Sequence, residues 1–373
     1  MAGGTLERFT RNAKFEPVEE AVTFDFIDNN KLLQAFGGSE SNLVVRNARL
    51  FKAIGLDSTR YIHNPEKHWL WGTLDFWTRF FNINPDRWEV KETGGTAWFY
   101  RRPFTSLAEL EKNLPGMPDR KGIKSWYKEW LKSVQEVFSE FDLVWVAAVE
   151  GALTDAYMYT DFSLFFEAMI DAPEIVDYLL EVFTVYGEAV SEAHAEMPTS
   201  PIFSQNDDIA STTGSIFPPA FLREKMVPRW KRVYAPAKKA GLQCIFHSDG
   251  NVNPLLELLV SEVEIDGFHP VEQAAGMSMT DVRRRYPDLL LLGGISCSQT
   301  LPFVPPAQIE QEAYDLASEM VPRGGVFFGS DSEVHELVPV ESALAMYRGY
   351  KAWKPKVKTL NSLATGKSLS GGV

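Results

Sequence analysis

Carboxylates and imidazoles recur at one kind of place in this chain, directly after short apolar runs. Residues 143–149 are followed by Glu150 and Gly151, and residues 202–205 by Asn206, Asp207 and Asp208. The run 242–246 leads into His247, Ser248, Asp249 and Gly250, and the run ending at Phe268 leads into His269 and Glu272. Residues 289–292 precede Gly293, Gly294, Ile295 and Ser296. The run ending at Phe328 precedes Gly329, Ser330, Asp331, Ser332 and Glu333, with His335 just beyond. A single Asp or Asn after a strand commonly caps the next helix. Such tips in succession are more specific than any one of them. Carboxylates gathered in one cleft repel each other, so some must hold a proton or a cation must lie among them. His247, Asp249, Glu150 and Asp331 would suit a divalent metal through nitrogen and oxygen, zinc included. The same residue types also suit metal-free proton transfer between a carboxylic acid and an imidazole.

These tips share a face only if the runs before them are parallel strands. From residue 123 the pattern supports that. Trp126, Trp130, Val134 and Val137 fall at helical spacing over 123–140. Further helices are predicted over 161–170, 173–197, 218–239, 255–261, 307–320 and 340–352. Pro173 and the Asn253-Pro254 pair serve as starts, and Ser278-x-x-Asp281 as a capping box. Apolar runs alternating with helices imply helical crossovers between parallel strands. The predicted fold is a (β/α)₈ TIM-type barrel, α/β in class, with its site at the C-terminal strand ends. Residues 123–355 form the main part of the barrel, 1–122 an aromatic-rich N-terminal extension or cap, and 356–373 a Lys-, Ser- and Gly-rich tail expected to fray.

Composition narrows the function. Apolar residues make up 45% and charged residues 23%, an ordinary globular balance. A net charge of −13 disfavours nucleic acid and anionic membranes. The two cysteines, Cys244 and Cys297, build neither a disulfide framework nor a Cys-x-x-Cys metal knuckle. Residues 1–10 lack the apolar core of a signal peptide, so a cytoplasmic location is expected. The aromatic stretch holding Trp69, Trp71, Trp77, Trp88 and Trp98 is read first as a packed cap, and alternatively as a wall for a planar ligand. His194 is expected on a helix surface; His63 and His68 have no assigned role.

The C-terminal two-thirds resembles the uroporphyrinogen decarboxylase superfamily, nearer its methyltransferase-like members than the decarboxylase of haem synthesis. The resemblance rests on Glu150-Gly151, on 171–174 and 218–221 with Pro228, on Phe246-His247-Ser248-Asp249-Gly250, on 291–295 and on 325–341, with a cap-like string from Trp88 to Asp119. The decarboxylase's arginine-rich propionate-gripping loop is missing. The zinc methyltransferases bind metal through His-x-Cys and a later Cys; here His247 matches, but the thiolate positions read Asp249 and Ser332. The resemblance implies metal-assisted demethylation of a small, methoxylated aromatic substrate toward a corrinoid protein, in a homodimeric enzyme, with zinc as cofactor. Substrate contacts are expected from Trp69, Trp71, Trp77 and Asn206, and catalysis from Asp207, His247, Tyr157 and His335. Two alternatives stay open. One is a cofactor-free decarboxylase using Asp207, Tyr157 and His335; the other is a non-catalytic barrel that binds a ligand or a corrinoid partner.

Overall fold

In a computed structural model that describes residues 4–93 and 96–355, seven parallel strands form one curled sheet. In chain order they are β1 (Val22–Thr23), β2 (Ala147–Glu150), β3 (Ile202–Asn206), β4 (Gln243–His247), β5 (Gly267–His269), β6 (Leu290–Ile295) and β7 (Val326–Ser330). Their spatial order is β1-β7-β6-β5-β4-β3-β2. Short pairings run on from both edges. Phe24 bridges Ser58 in parallel, and Ser58–Thr59 pairs in parallel with Val144–Trp145, which leads directly into β2. Against the expected eight-stranded barrel, the observed sheet thus has seven strands, with two-residue contacts linking its edges. Strand β1 comes from the stretch read as an N-terminal extension; at two residues it is too short to show a period.

The strands bury both faces, as parallel strands with helical crossovers do. Alternate residues go to opposite sides. Val22, Phe24, Val144, Val146, Ile202, Ile245, Leu290, Leu292 and Phe327 pack together on the inner side of the curl. Ala147, Val149, Phe203, Cys244, Phe246, Phe268, Leu291 and Phe328 join the larger core beneath the helices. Those helices lie close to where the residue pattern puts them: Arg120–Glu140, Phe162–Asp171, Pro173–Glu196, Val227–Lys239, Pro306–Met320 and Val340–Ala352. Among the described residues no helix is long and apolar enough to cross a membrane.

The aromatic stretch does two jobs. Trp77 is buried, stacked on Phe99 at 5.2 Å and packed edge-on to Trp88 and Tyr159. This cluster holds the helix Trp69–Phe81 and the hairpin of Glu89–Thr93 and Thr96–Arg101 against the body of the protein. Trp69 and Trp98 instead stay 42% and 43% exposed.

His194 corrects a surface assignment. It is fully buried and stacked on Phe203, and neither ring nitrogen reaches a well-aligned partner. Burial pulls its pKa down to about 4, with the backbone near Ile202 and Ser200 acting weakly the other way. The unfolded chain therefore takes up a proton below about 6.5 that the folded chain refuses until about 4. Stability should fall as pH drops through that window, by up to about 3 kcal/mol. Urea melts of His194→Leu across it should show a flatter pH dependence; an unchanged slope would refute the assignment.

Candidate functional site

Register brings the strand ends into one row. Glu150 lies opposite Asn206, Asn206 opposite His247, and His247 opposite His269. All four have the parity of the inward-facing apolar residues Val146, Ile202 and Ile245. The row stands at the C-terminal end of the sheet.

At its centre a nitrogen and two carboxylates converge. Ligand atoms of Asp208, His247 and Asp249 all lie within 4.8 Å of one another. Nε2 of His247 is 3.8 Å from Oδ1 of Asp208 and 4.0 Å from Oδ1 of Asp249. The Asp249 amide donates to Asp208 at 3.0 Å, and the Ser332 hydroxyl to Asp249 at 3.2 Å. Behind His247, its Nδ1 meets Nδ1 of His269 at 2.6 Å, the rings stacked at 4.8 Å. One proton must sit between those two nitrogens. Burial, then Arg60, holds both imidazoles well below their usual pKa, so both are neutral. With His247 donating from Nδ1, its Nε2 presents a lone pair toward the two carboxylates.

Burial raises the carboxyl pKa of both aspartates; Glu150 adds to this at Asp208 against the opposing Asp249 amide, and Asp208 and then Glu272 add to it at Asp249. Their side chains nevertheless keep 41% and 46% of their surface accessible, so cavity water moderates that push. This is a hard N,O donor set, compatible with zinc though without thiolate.

The triad opens into a cavity of 540 Å³ walled largely by aromatic rings, including Phe26, Tyr61, Trp69, Trp98, Phe99 and Tyr157. Arg102, at its edge, spends its donors on the carbonyls of Phe99, Met158 and Tyr159, tying the hairpin to the end of the helix Ala152–Thr160. Glu333 also lines the cavity; burial first, then Asp28 and Asp25, pushes its carboxyl up to about 7. Tyr157 stacks on Phe162 at 4.4 Å. Burial, and then Asp208, holds its phenol well above its usual pKa, so it stays a neutral donor.

Of the residues singled out from the sequence, Glu150, Tyr157, His247, Asp249 and Trp69 line this cavity. Asn206 lies directly beneath, donating to Glu150 at 3.1 Å. The others lie elsewhere. Asp207 has the opposite strand parity; its oxygens accept from the Thr154 amide at 2.7 Å and Trp230 Nε1 at 2.6 Å, under the helices. Asp331 is buried and accepts from the amides of Cys297 and Gln273, a backbone tie away from the His247 triad. His335 faces the Cys297 carbonyl at 3.1 Å, on a two-residue strand paired with Ile27–Asp28. Trp77 is core, and Trp71 packs partly buried against it. Sequence reasoning passed over Arg60, placed Trp98 in the aromatic stretch without naming it as a substrate contact, and gave Asp208 no role. Strand alternation was the signal for Asp208, because it shares the parity of Ile202 and Asn206.

A pocket of 680 Å³ lies far from these strand ends, lined by Arg120, Lys124, Glu188, Glu192 and Arg232 among others. Ion pairs fill it with charges of both signs, Arg120 to Glu188 and Glu192 and Arg232 to Glu188. Among the described residues its carboxylates are paired with these cations and form no metal-ligand cluster.

The chain's fold is similar to that of a methyltransferase from Methanosarcina mazei, at 17% identity and a TM-score of 0.66, covering 94% of this chain and 98% of that one. Weaker matches include a candidate vitamin-B12-independent methionine synthase from Listeria monocytogenes (15% identity, TM-score 0.42, 91% and 99% covered). Another is a xylose isomerase domain protein from Alicyclobacillus acidocaldarius (11%, TM-score 0.38, 92% and 100%). No protein-family profile matches the chain, and neither does any curated protein sequence.

Proposed function

We propose that this chain is a methyltransferase of the uroporphyrinogen decarboxylase superfamily, built on a closed (β/α)₈ barrel in which residues 58–59 act as a short additional strand. It would demethylate a small methoxylated aromatic compound, passing the methyl group to a corrinoid protein. The observation that carries this reading is the convergence of Asp208, His247 and Asp249 on the floor of an aromatic-walled cavity. The overall likeness to the Methanosarcina methyltransferase supports it at the level of fold.

Asp208, His247 and Asp249 would hold a divalent cation, which would supply Lewis acidity to a heteroatom that carries a methyl group. The protein supplies the rest. Trp69 and Trp98 flank the cavity and give a planar ring large contact area at little entropic cost. As the carbon–oxygen bond breaks, its electron pair stays on oxygen and the methyl group passes to the nucleophile. The neutral Tyr157 phenol lines the same space as a hydrogen-bond donor for that developing charge. The decarboxylase alternative needs Asp207, Tyr157 and His335 together, and only Tyr157 lines the cavity.

The test is elemental analysis of purified protein after zinc loading, paired with spectroscopic detection of methyl transfer from a methoxylated aromatic to reduced cobalamin. Absence of stoichiometric zinc, with an Asp249→Asn variant as active as the parent, would overturn the reading. Trp98→Ala offers a separate check on the wall. It should raise KM for an aromatic substrate about tenfold while leaving urea stability within about 0.5 kcal/mol, since the ring is half exposed.

A further inference from the structure

Two arginines with little exposure use most of their donors on backbone carbonyls. Arg102 gives its N–H groups to the carbonyls of Phe99, Met158 and Tyr159. Arg283 gives its own to Pro287, Leu289, Gly324 and Gly325. Arg60 differs. It lines the cavity with only 15% of its side chain exposed, yet among the described residues it donates no side-chain hydrogen bond at all; its Nε, like that of Arg283, is buried without a partner. Its guanidinium carbon lies 4.1 Å over the Phe26 ring, and its nearest ion-pair contact, Glu150, is 3.7 Å away, beyond hydrogen-bond range.

A guanidinium has five donors in a planar fork that matches a carboxylate, and leaving them unmade in a buried place is costly. We infer that Arg60 is the anion-binding residue of this site, so that the substrate class is a small aromatic carboxylate, its acid group on Arg60 and its ring between the tryptophans. This rests on the proposed reading of the cavity as a site for a small aromatic compound, and it adds the charge.

The opposing field must be weighed. Glu150, Asp208, Asp249 and Glu333 all line the same cavity. A divalent cation on Asp208 and Asp249 would offset two of these charges. Glu150 then remains the direct competitor for Arg60, and its Asn206 contact holds it to one side. A ligand carboxylate that reaches within hydrogen-bond distance of the fork displaces a contact that Glu150 makes only at longer range.

The experiment is calorimetric binding of 4-methoxybenzoate, benzoate and the neutral 4-methoxybenzamide to the full chain, with and without added zinc. The carboxylates should bind about tenfold or more tightly than the amide. Arg60→Gln should reduce that preference to about twofold, with Arg60→Lys falling between. Glu150→Gln, which keeps the acceptor for Asn206, should tighten benzoate several-fold, and it tests the idea should the Arg60 variants fail to fold. Equal affinity for acid and amide, no saturable binding of any probe, or Glu150→Gln weakening benzoate would each overturn the inference. Acid preference without zinc uptake or methyl transfer would sink the proposed reaction and leave Arg60's role standing.

Discussion

His247→Ala should cost the protein more than about 100-fold in zinc affinity, because it removes the only nitrogen of the donor set and exceeds what loss of a supporting partner usually costs. The fold should survive, since His247 ends its strand and its backbone pairing with Asn206 and His269 needs no imidazole. His269→Phe tests the layer behind. It keeps a ring against His247 but removes the acceptor that fixes the tautomer, so zinc affinity should drop about 10–100-fold. The pH dependence has a definite sign. Burial, with repulsion from neighbouring carboxylates, raises the Asp208 and Asp249 pKa values, and a protonated carboxyl is a poor ligand. Zinc affinity should therefore fall as pH is lowered, beginning at a higher pH than for ordinary carboxylates. Competition titrations with a chelator at several pH values measure all three effects. Flat affinity across the acidic range, or a His247→Ala protein that keeps its zinc, would remove the triad from consideration as a metal site.

Much of this arrangement was legible in the residues, and the gaps have physical causes. Helices such as Arg120–Glu140 and Val340–Ala352 carry long apolar periods and clear starts, so their positions follow from pattern alone. Strands β3, β4, β6 and β7 stand as isolated apolar runs between them. Val22–Thr23 and Ser58–Thr59 could not be seen, because two residues carry no period and their place is set by distant neighbours, Phe327–Phe328 for the first pair and Val144–Trp145 for the second. His247 and Asp249 were visible as a strand end, and Glu150 likewise. The choice between Asp207 and Asp208 required carrying the strand alternation one step past the last apolar residue. Arg60 was beyond reach, since nothing local marks an arginine whose importance lies in the partners it lacks. The tryptophans divide for a similar reason. Trp77 and Trp98 lie in the same aromatic stretch, and only the packing of helix on hairpin sends one to the core and the other to the cavity.

The second large effect concerns Asp207 and Gly151, which should behave as one unit. Asp207 accepts from a helix-start amide, that of Thr154, and from the buried indole of Trp230. In return the Asp208 amide donates to the Thr154 hydroxyl at 2.9 Å, so the loop carrying the cavity-lining Asp208 is clamped to the helix Ala152–Thr160. Asp207→Ala leaves two buried donors without acceptors and should cost about 2–5 kcal/mol. Gly151 is required by the same contact, because a Cβ there would stand 2.0 Å from Cγ of Asp207. Its backbone, at φ −81° and ψ 157°, would otherwise accept any residue. Gly151→Ala alone should therefore cost about 1–3 kcal/mol through overpacking. In the double variant the clash partner is gone, and the loss should be smaller than the sum of the two by about 1–3 kcal/mol. Urea unfolding with an unchanged m-value reads this coupling. Strict additivity would show that the two do not meet. An Asp207→Ala protein with full stability but no turnover would move Asp207 from a clamp beneath the site into the reaction itself.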